Sequence, residues 1–289
     1  MLDGALALAL PVRFGQQLTV TEQPHLSGHH WVSFGQQGRP WFEGRFSSTG
    51  VYASGNDEET GNRLEQLFQA IAKQRPDFWL GRPPLRFETH LEFPRQWGLG
   101  SSSTLVAALA EWAEVDAFQL LADTFGGSGY DIACAYARQP ILFQRRNGKA
   151  QYVECPFTPS FSDNVCFVYL GKKQDSREGI ARYRKVAENA SRLLDPISRL
   201  TMDFLRARTV KEGIAVLEAH EELVGDTLQL PRVKERYFSN FPGAVKSLGA
   251  WGGDFVMALS EKSAESTRQY FRVKGFEVVF SWKEMVLAP

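Results

Sequence analysis

The sequence predicts an α+β protein of two domains, and three observations carry that reading. Leu85, Phe87, Thr89, Leu91 and Phe93 alternate with Arg86, Glu88, His90 and Glu92, the period of a half-buried strand, and Leu105, Ala108, Leu109 and Trp112 then follow at helical spacing. A chain of 289 residues exceeds the usual size of one domain and accommodates two of moderate size. After a proline-bracketed link at residues 157–160 the composition shifts toward helix, which sets the expected division at 1–160 and 161–289.

Composition narrows the class. An apolar fraction of 43% with 23% charged residues suits a soluble protein with a sizeable core. Thirty-three basic and 33 acidic residues cancel, so no overall field favours nucleic acid or an anionic membrane, and any anion binding is local. Cys134, Cys155 and Cys166 are odd in number and lack metal-ligand spacing, which fits reduced thiols in the cytoplasm and argues against zinc. The apolar run at residues 5–11 is too short to span a bilayer, and a basic signal-peptide start is absent.

In chain order, residues 5–21 read as a strand pair or a bent strand, broken at Pro11 and turned at Gly15. Strands around Trp31 to Phe34 and Trp41 to Phe42, separated by Gly35 and Gly38, predict a hairpin. Leu64, Leu67, Phe68 and Ile71 share one face of a helix over residues 57–73 that ends before Pro76. A short helical piece at 118–123, a second glycine-rich turn at 125–131, a helix of small residues at 132–136 and a strand at 141–144 follow. Beyond the link come a strand at 165–170 and a long apolar stripe through Tyr183, Val186, Leu193, Leu194, Ile197 and Leu200. Ile214, Leu217 and Leu223 continue a helical pattern. The tail reads as strand 255–259, helix 264–273 and strand 276–280. His25, His29 and His30 are expected on loop surface, and residues 218–222 on an exposed helix face, since that run lacks the two-histidine spacing of a metalloprotease.

The strand-to-helix turn at residues 98–104 carries the chemistry. The first N–H groups of a helix lack internal partners and sit at the positive end of its dipole, so an anion fits there. Gly98 and Gly100 permit close approach of the backbone, and Ser101, Ser102, Ser103 and Thr104 offer hydroxyls. The Walker pattern does not apply, because no lysine precedes the final hydroxyl residue. The alternative is an ordinary loop with a serine helix cap. Asp131 similarly reads as a general base or as a helix cap. Lys172, Ser176 and Arg177 follow a strand and either face an acidic substrate or form a solvated cluster.

Three segments, taken together, resemble the motifs of the GHMP small-molecule kinases, the group of galactokinase, homoserine kinase, mevalonate kinase and phosphomevalonate kinase. Gly98, Leu99, Gly100, Ser101 and Ser102 are similar to the family's ATP phosphate loop. Ser128, Gly129, Tyr130 and Asp131 resemble the segment that holds the catalytic aspartate of mevalonate kinases. Residues 246–255, with Gly249, Ala250, Gly252 and Gly253, resemble the third, glycine-rich motif. The run from Gly129 to Ala133 is similar to a signature of one bacterial branch. The first motif departs: only residues 2–11 resemble its tail, and its Gly-Glu pair is absent.

The resemblance implies a two-lobed GHMP kinase fold, with an N-terminal lobe like domain 2 of ribosomal protein S5 and a ferredoxin-like C-terminal lobe. It also implies ATP and Mg2+ as cofactors and Asp131 as catalytic base. Gly98 through Ser103 would bind the ATP phosphates. Ser128, Gly129, Lys172, Ser176, Arg177, Gly249, Ala250, Gly252 and Gly253 would line the substrate and the transferred phosphate, with the Ser102 hydroxyl on the metal side. The family's metal-binding Glu has no clear counterpart near Leu120, and Asp123 is a nearby substitute for it. The implied reaction phosphorylates a hydroxyl of a small acidic metabolite, mevalonate first, in isoprenoid biosynthesis. Phosphomevalonate kinase, a mevalonate-diphosphate-decarboxylase-like enzyme and a non-catalytic metabolite sensor are the alternatives. The expected partner is a small molecule, with no nucleic acid and no membrane, and the expected state a cytoplasmic monomer or homodimer.

Overall fold

A computed structural model describes residues 1–172, 176–186, 191–249 and 254–288, with only the backbone described at Ser176, Arg177 and Ser191. The chain groups into two compact units. One comprises Phe14–Arg95 and Leu99–Tyr136, the other Met1–Arg13, Gln96–Gly98 and Ala137–Pro289. Residues 137–160, placed with the first lobe on sequence, group with the residues that follow them.

In the first unit five strands lie in the order Gln16–Glu22, Leu85–Leu91, His29–Phe34, Pro40–Phe46, Tyr52–Gly55. His29–Phe34 and Leu85–Leu91 run parallel, and the other neighbours are antiparallel. Leu85, Phe87, Thr89 and Leu91 are buried while the residues between them are not, as the period-two pattern requires. Thr89 is tolerated on that apolar face because its hydroxyl donates to Ser33 Oγ at 2.9 Å, and Ser33 Oγ also accepts from Trp31 Nε1 at 2.8 Å. Trp31 stacks on Phe87 with ring centroids 5.0 Å apart. Helices Glu58–Gln74, Ser101–Ala113 and Ala117–Thr124 add Leu67, Phe68, Ile71, Leu109 and Leu120 to the same core, each worth about 1.5–3 kcal/mol when fully buried. The first of these helices starts where Asp57 accepts from the Thr60 N–H at 2.7 Å and stops where the Arg75 N–H reaches Ile71 O, just before Pro76.

The second unit holds two antiparallel sheets. One runs Gly243–Ser247, Phe255–Ser260, Val165–Tyr169, Val279–Ser281, and the other Ala7–Ala9, Ile141–Arg146, Lys149–Glu154. Phe255–Ser260 is buried at every position. Two expectations change here. The last strand is Val279–Ser281 rather than 276–280, because the Phe276 N–H is spent on Phe271 O at 3.0 Å, closing helix Ala264–Val273 behind Gly275 at φ +87°. The stripe from Tyr183 to Leu200 is divided between helices Ser176–Lys185 and Leu194–Arg206, with a 3-10 turn at Ser191–Leu193 before the second. Pro196 stands in the first turn of that second helix, where a missing N–H costs nothing. Residues 187–190 lie outside the described residues.

The histidines are a further correction. His25 is exposed, but His29 and His30 belong to a strand, and His29 is only 1% exposed. Its Nδ1 accepts the Leu85 N–H at 3.0 Å, so the proton sits on Nε2, which donates to Ser48 O at 3.2 Å. Burial lowers its pKa and the ring is neutral. Cys134, Cys155 and Cys166 are free thiols. No helix among the described residues is long and apolar enough to cross a membrane.

Candidate active site

Strand Leu85–Leu91 leads, through Phe93 and Pro94, into the loop that opens helix Ser101–Ala113. Gly100 is the N-cap, in the left-handed region at φ +82°, and no side chain caps the first turn. The serine-cap alternative is therefore not what forms: Ser101, Ser102 and Ser103 all lie inside the helix, and Ser102 is exposed. Thr104 differs from its neighbours. Its hydroxyl donates to Gln16 Oε1 at 2.8 Å and is spent within the fold. What remains is a helix start with main-chain donors and serine hydroxyls at the end of a strand, an arrangement suited to an anion.

Asp131 faces this helix start. In helix Tyr130–Tyr136 it follows Gly129 at φ +89°, and a Cβ built on Gly100 would have Asp131 Oδ1, 3.8 Å away, as its near neighbour. The helix is held against Ser101–Ala113 by the Tyr136 hydroxyl, which donates to Ala107 O at 3.0 Å. Removal from solvent pushes the Asp131 carboxyl up to about 6, against an opposing pull from a hydrogen bond with the Tyr130 side chain. The same burial, helped by the Asp131 charge, pushes Cys134 up to about 12, so that thiol is no nucleophile. A carboxylate poised near neutrality is a better proton acceptor than an ordinary aspartate. Ser128 sits at the mouth of the same turn, its Oγ 3.5 Å from the Tyr130 N–H.

Asp123, expected on the metal side, is otherwise engaged. Lys73 Nζ lies 3.1 Å from its Oδ2 and Gln119 Nε2 donates to Oδ1 at 2.9 Å, so its charge is met by protein groups. No cluster of three histidine, cysteine or acidic side chains with metal-binding geometry occurs among the described residues.

In the second unit Gln96–Gly98 is anchored by aromatics. Trp97 packs against Tyr169, Phe255 and Phe280, and the Tyr169 hydroxyl donates to Gln96 O at 2.9 Å. Gly98 has φ +66°, and a Cβ there would overlap the Asp254 carboxylate. Only glycine lets that carboxylate lie against the loop backbone. Lys172 is exposed beyond strand Val165–Tyr169. Ser176 and Arg177 begin the next helix, their side chains outside the described residues, as are Ala250, Gly252 and Gly253. Gly249, at φ +63°, ends the described part of the third segment.

Sequence reading missed what supports that third segment. Glu221 is not on an exposed face: it is 8% exposed and accepts from the Ser247 N–H at 3.0 Å and the Ser247 hydroxyl at 2.7 Å. Lys246 Nζ donates to Ser247 O at 2.8 Å, and burial lowers its pKa. His220 Nδ1 is buried with no hydrogen-bond partner among the described residues, and burial followed by the Lys246 charge pushes its pKa down to about 2. The signal was present, since Gly213, Leu217, Glu221 and Leu228 form the buried stripe of helix Val210–Leu228 at spacings of a helical face.

No protein-family model matches the chain, and no curated protein matches it in sequence. Solved structures do. A protein of Listeria innocua superposes with a TM-score of 0.70 at 15% identity, over 95% of this chain and 90% of the other. The Streptococcus pneumoniae phosphomevalonate kinase, solved with phosphomevalonate and AMPPNP, gives 0.68 at 14% identity over 96% and 94%. The L. major mevalonate kinase, solved with R-mevalonate, gives 0.66 at 16% identity over 99% and 90%. At these identities the likeness shows the fold: the chain has the α+β architecture of the GHMP small-molecule kinases.

Proposed function

We propose that this chain is an ATP-dependent phosphotransferase acting on a hydroxyl of a small acidic metabolite, with mevalonate the first acceptor to test and phosphomevalonate the second. One observation carries the reading: a carboxylate with a pKa raised to about 6 faces the start of an uncapped helix whose first turn is three serines. A polyphosphate is supported at Gly100, which takes a left-handed conformation and leaves backbone where a Cβ would stand, with Asp131 Oδ1 3.8 Å from that position; at Gly98 the same position is taken by the Asp254 carboxylate.

ATP, when bound with Mg2+, supplies the transferable phosphoryl group and neutralises its charge. The N–H groups at Ser101–Ser103 bind and orient the phosphates, and the Ser102 hydroxyl is the protein's donor on the metal side. Mg2+ commonly keeps waters and phosphate oxygens with only one or two protein ligands, so a full protein cage is not required. Asp131 takes the proton of the acceptor hydroxyl as its oxygen bonds to phosphorus and the bond to ADP breaks. Gly249 and the third segment hold the acceptor side.

The test is ADP release with mevalonate, phosphomevalonate, homoserine and sugars, for the parent and Asp131→Ala. The expected result is turnover on one acidic acceptor, lost in the variant by about 10²–10⁴-fold. Turnover that survives Asp131→Ala would sink the assignment of the base. A second reading, a non-catalytic metabolite sensor, is favoured by the engagement of Asp123 with Lys73. Nucleotide binding with no turnover on any acceptor would select it.

A further inference from the structure

The loop that leads to the uncapped helix start is tied at both ends to two adjacent residues. Where strand Leu85–Leu91 ends, Gln16 pairs with Leu91 in the ladder. At the next residue the Glu92 N–H donates to Gly15 O at 3.1 Å, and the Glu92 carboxylate accepts the Gly15 N–H at 2.7 Å. The chain then runs through Gly98 and Gly100 into helix Ser101–Ala113, whose first turn is closed by the Thr104 N–H on Gly100 O at 2.9 Å. The Thr104 hydroxyl has one proton and three acceptors in reach. Gln16 Oε1 is the nearest at 2.8 Å, ahead of Ser101 O at 3.1 Å and Gly100 O at 3.3 Å in its own turn. Gly15 and Gln16 thus hold Glu92 at one end of the loop and Thr104 at the other, and all four residues belong to the first unit.

That first turn needs support from outside itself. Gly100 caps it without a side chain, and its three serines are weak helix formers, because their hydroxyls compete for nearby backbone groups. Donors bind a polyphosphate best when they already point together, since ordering them on binding weakens affinity. A loop pinned at both ends has less freedom to lose. We infer that Gly15 and Gln16 form a clasp on this loop, and that Gln16 and Thr104 are positioning residues for the ATP phosphates, acting on nucleotide affinity and not on the acceptor or on proton transfer. The inference rests on the reading of that helix start as the ATP site.

The test compares Gln16→Leu, Thr104→Val and Thr104→Ser in the full chain by AMPPNP calorimetry, steady-state kinetics and amide exchange at Thr104. Gln16→Leu and Thr104→Val are each expected to weaken AMPPNP binding and to raise the ATP KM by about fivefold, the effect of one hydrogen bond, with kcat and the acceptor KM within about twofold. The two changes combined are expected to weaken binding little more than either alone, because they remove the same bond. Thr104→Ser keeps the hydroxyl and is expected to restore most of the affinity. Gln16→Leu is also expected to speed exchange of the Thr104 amide about fivefold as the first turn frays. Unchanged AMPPNP affinity in Gln16→Leu, single effects that add in full, or ATP and acceptor KM rising together overturns the clasp. AMPPNP binding by the parent without turnover on any acceptor removes phosphoryl transfer as the function, while the variants still decide the clasp. A parent that binds no AMPPNP overturns both.

Discussion

The two units treat their polar groups in opposite ways at the segments that matter. At Ser101–Ser103 the first unit starts a helix on Gly100 and puts no side chain over the first-turn donors. At Ser247 the second unit spends two charged side chains, the buried Glu221 and the half-buried Lys246, to satisfy one serine completely. The difference teaches where to look for a ligand. An uncapped helix start leaves its donors to water or a ligand, whereas a saturated strand end has none to offer. Asp131 faces that helix start, and its raised pKa records the cost of taking the carboxylate out of solvent, opposed by the hydrogen bond with the Tyr130 side chain.

The largest expected effect comes from removing that carboxylate. Asp131→Asn is expected to lose the turnover described above and yet to gain stability. The folded pKa of about 6 lies above the ordinary 3.8, so the folded state binds the extra proton between those values, and the carboxyl destabilises the fold increasingly as pH rises through 6. The gain is therefore at most about 3 kcal/mol at pH 8 and about half that at pH 5. Denaturant unfolding of both proteins at the two pH values measures it. An equal difference at pH 5 and pH 8 would contradict the raised pKa of Asp131.

Gly98 and Gly100 sharpen the comparison, because both have positive φ but only one is crowded. Gly98→Ala puts a Cβ into the Asp254 carboxylate, while at Gly100 the near neighbour of that Cβ is an atom 3.8 Å away, ordinary contact. Gly100→Ala is expected to cost about 1 kcal/mol for its backbone conformation alone. Gly98→Ala is expected to cost roughly 2–3 kcal/mol, of which Asp254→Ala in the same chain recovers the steric part. Thermal unfolding of the four proteins reads this out. Equal costs at the two glycines, or no recovery in the double variant, would show that Asp254 does not set the packing at Gly98.

Much of this was legible in sequence where one physical signal acted alone. Alternation at residues 85–91 gave a strand, and the helical stripe over 57–73 that ends before Pro76 gave Glu58–Gln74 almost to the residue. Sequence reading lost Tyr52–Gly55 and Lys149–Glu154, outer strands of their sheets that are mostly exposed and so carry no apolar period. It placed His29 and Glu221 at the surface because residue type was weighed above position. Both are polar groups on buried faces, made tolerable by partners distant in the chain, Leu85 for one and Ser247 for the other. The site divides likewise. The glycine and serine run showed itself as a local pattern, while the pairing of Glu221 with Ser247 depends on a helix meeting a strand.

The smallest expected effect concerns a buried base rather than a buried acid, and its sign is opposite. His220 has its pKa pushed down from 6.5 to about 2, with burial the larger cause and the Lys246 charge the next. Below pH 6.5 the unfolded chain takes up a proton on this ring that the folded chain refuses, so its share of stability is intact above that pH and falls as pH drops. Between pH 7 and 5.5 the loss amounts to about 1 kcal/mol. His29, lowered first by its own burial, acts in the same direction. His220→Gln removes the titration and is expected to flatten the acid limb of the stability profile by that amount, while Asp131→Asn removes the opposing slope between about pH 4 and 6. A profile in which His220→Gln leaves the acid slope unchanged would mean that the ring already meets solvent or a proton donor, and that the second unit is less closed around Ser247 than its hydrogen bonds indicate.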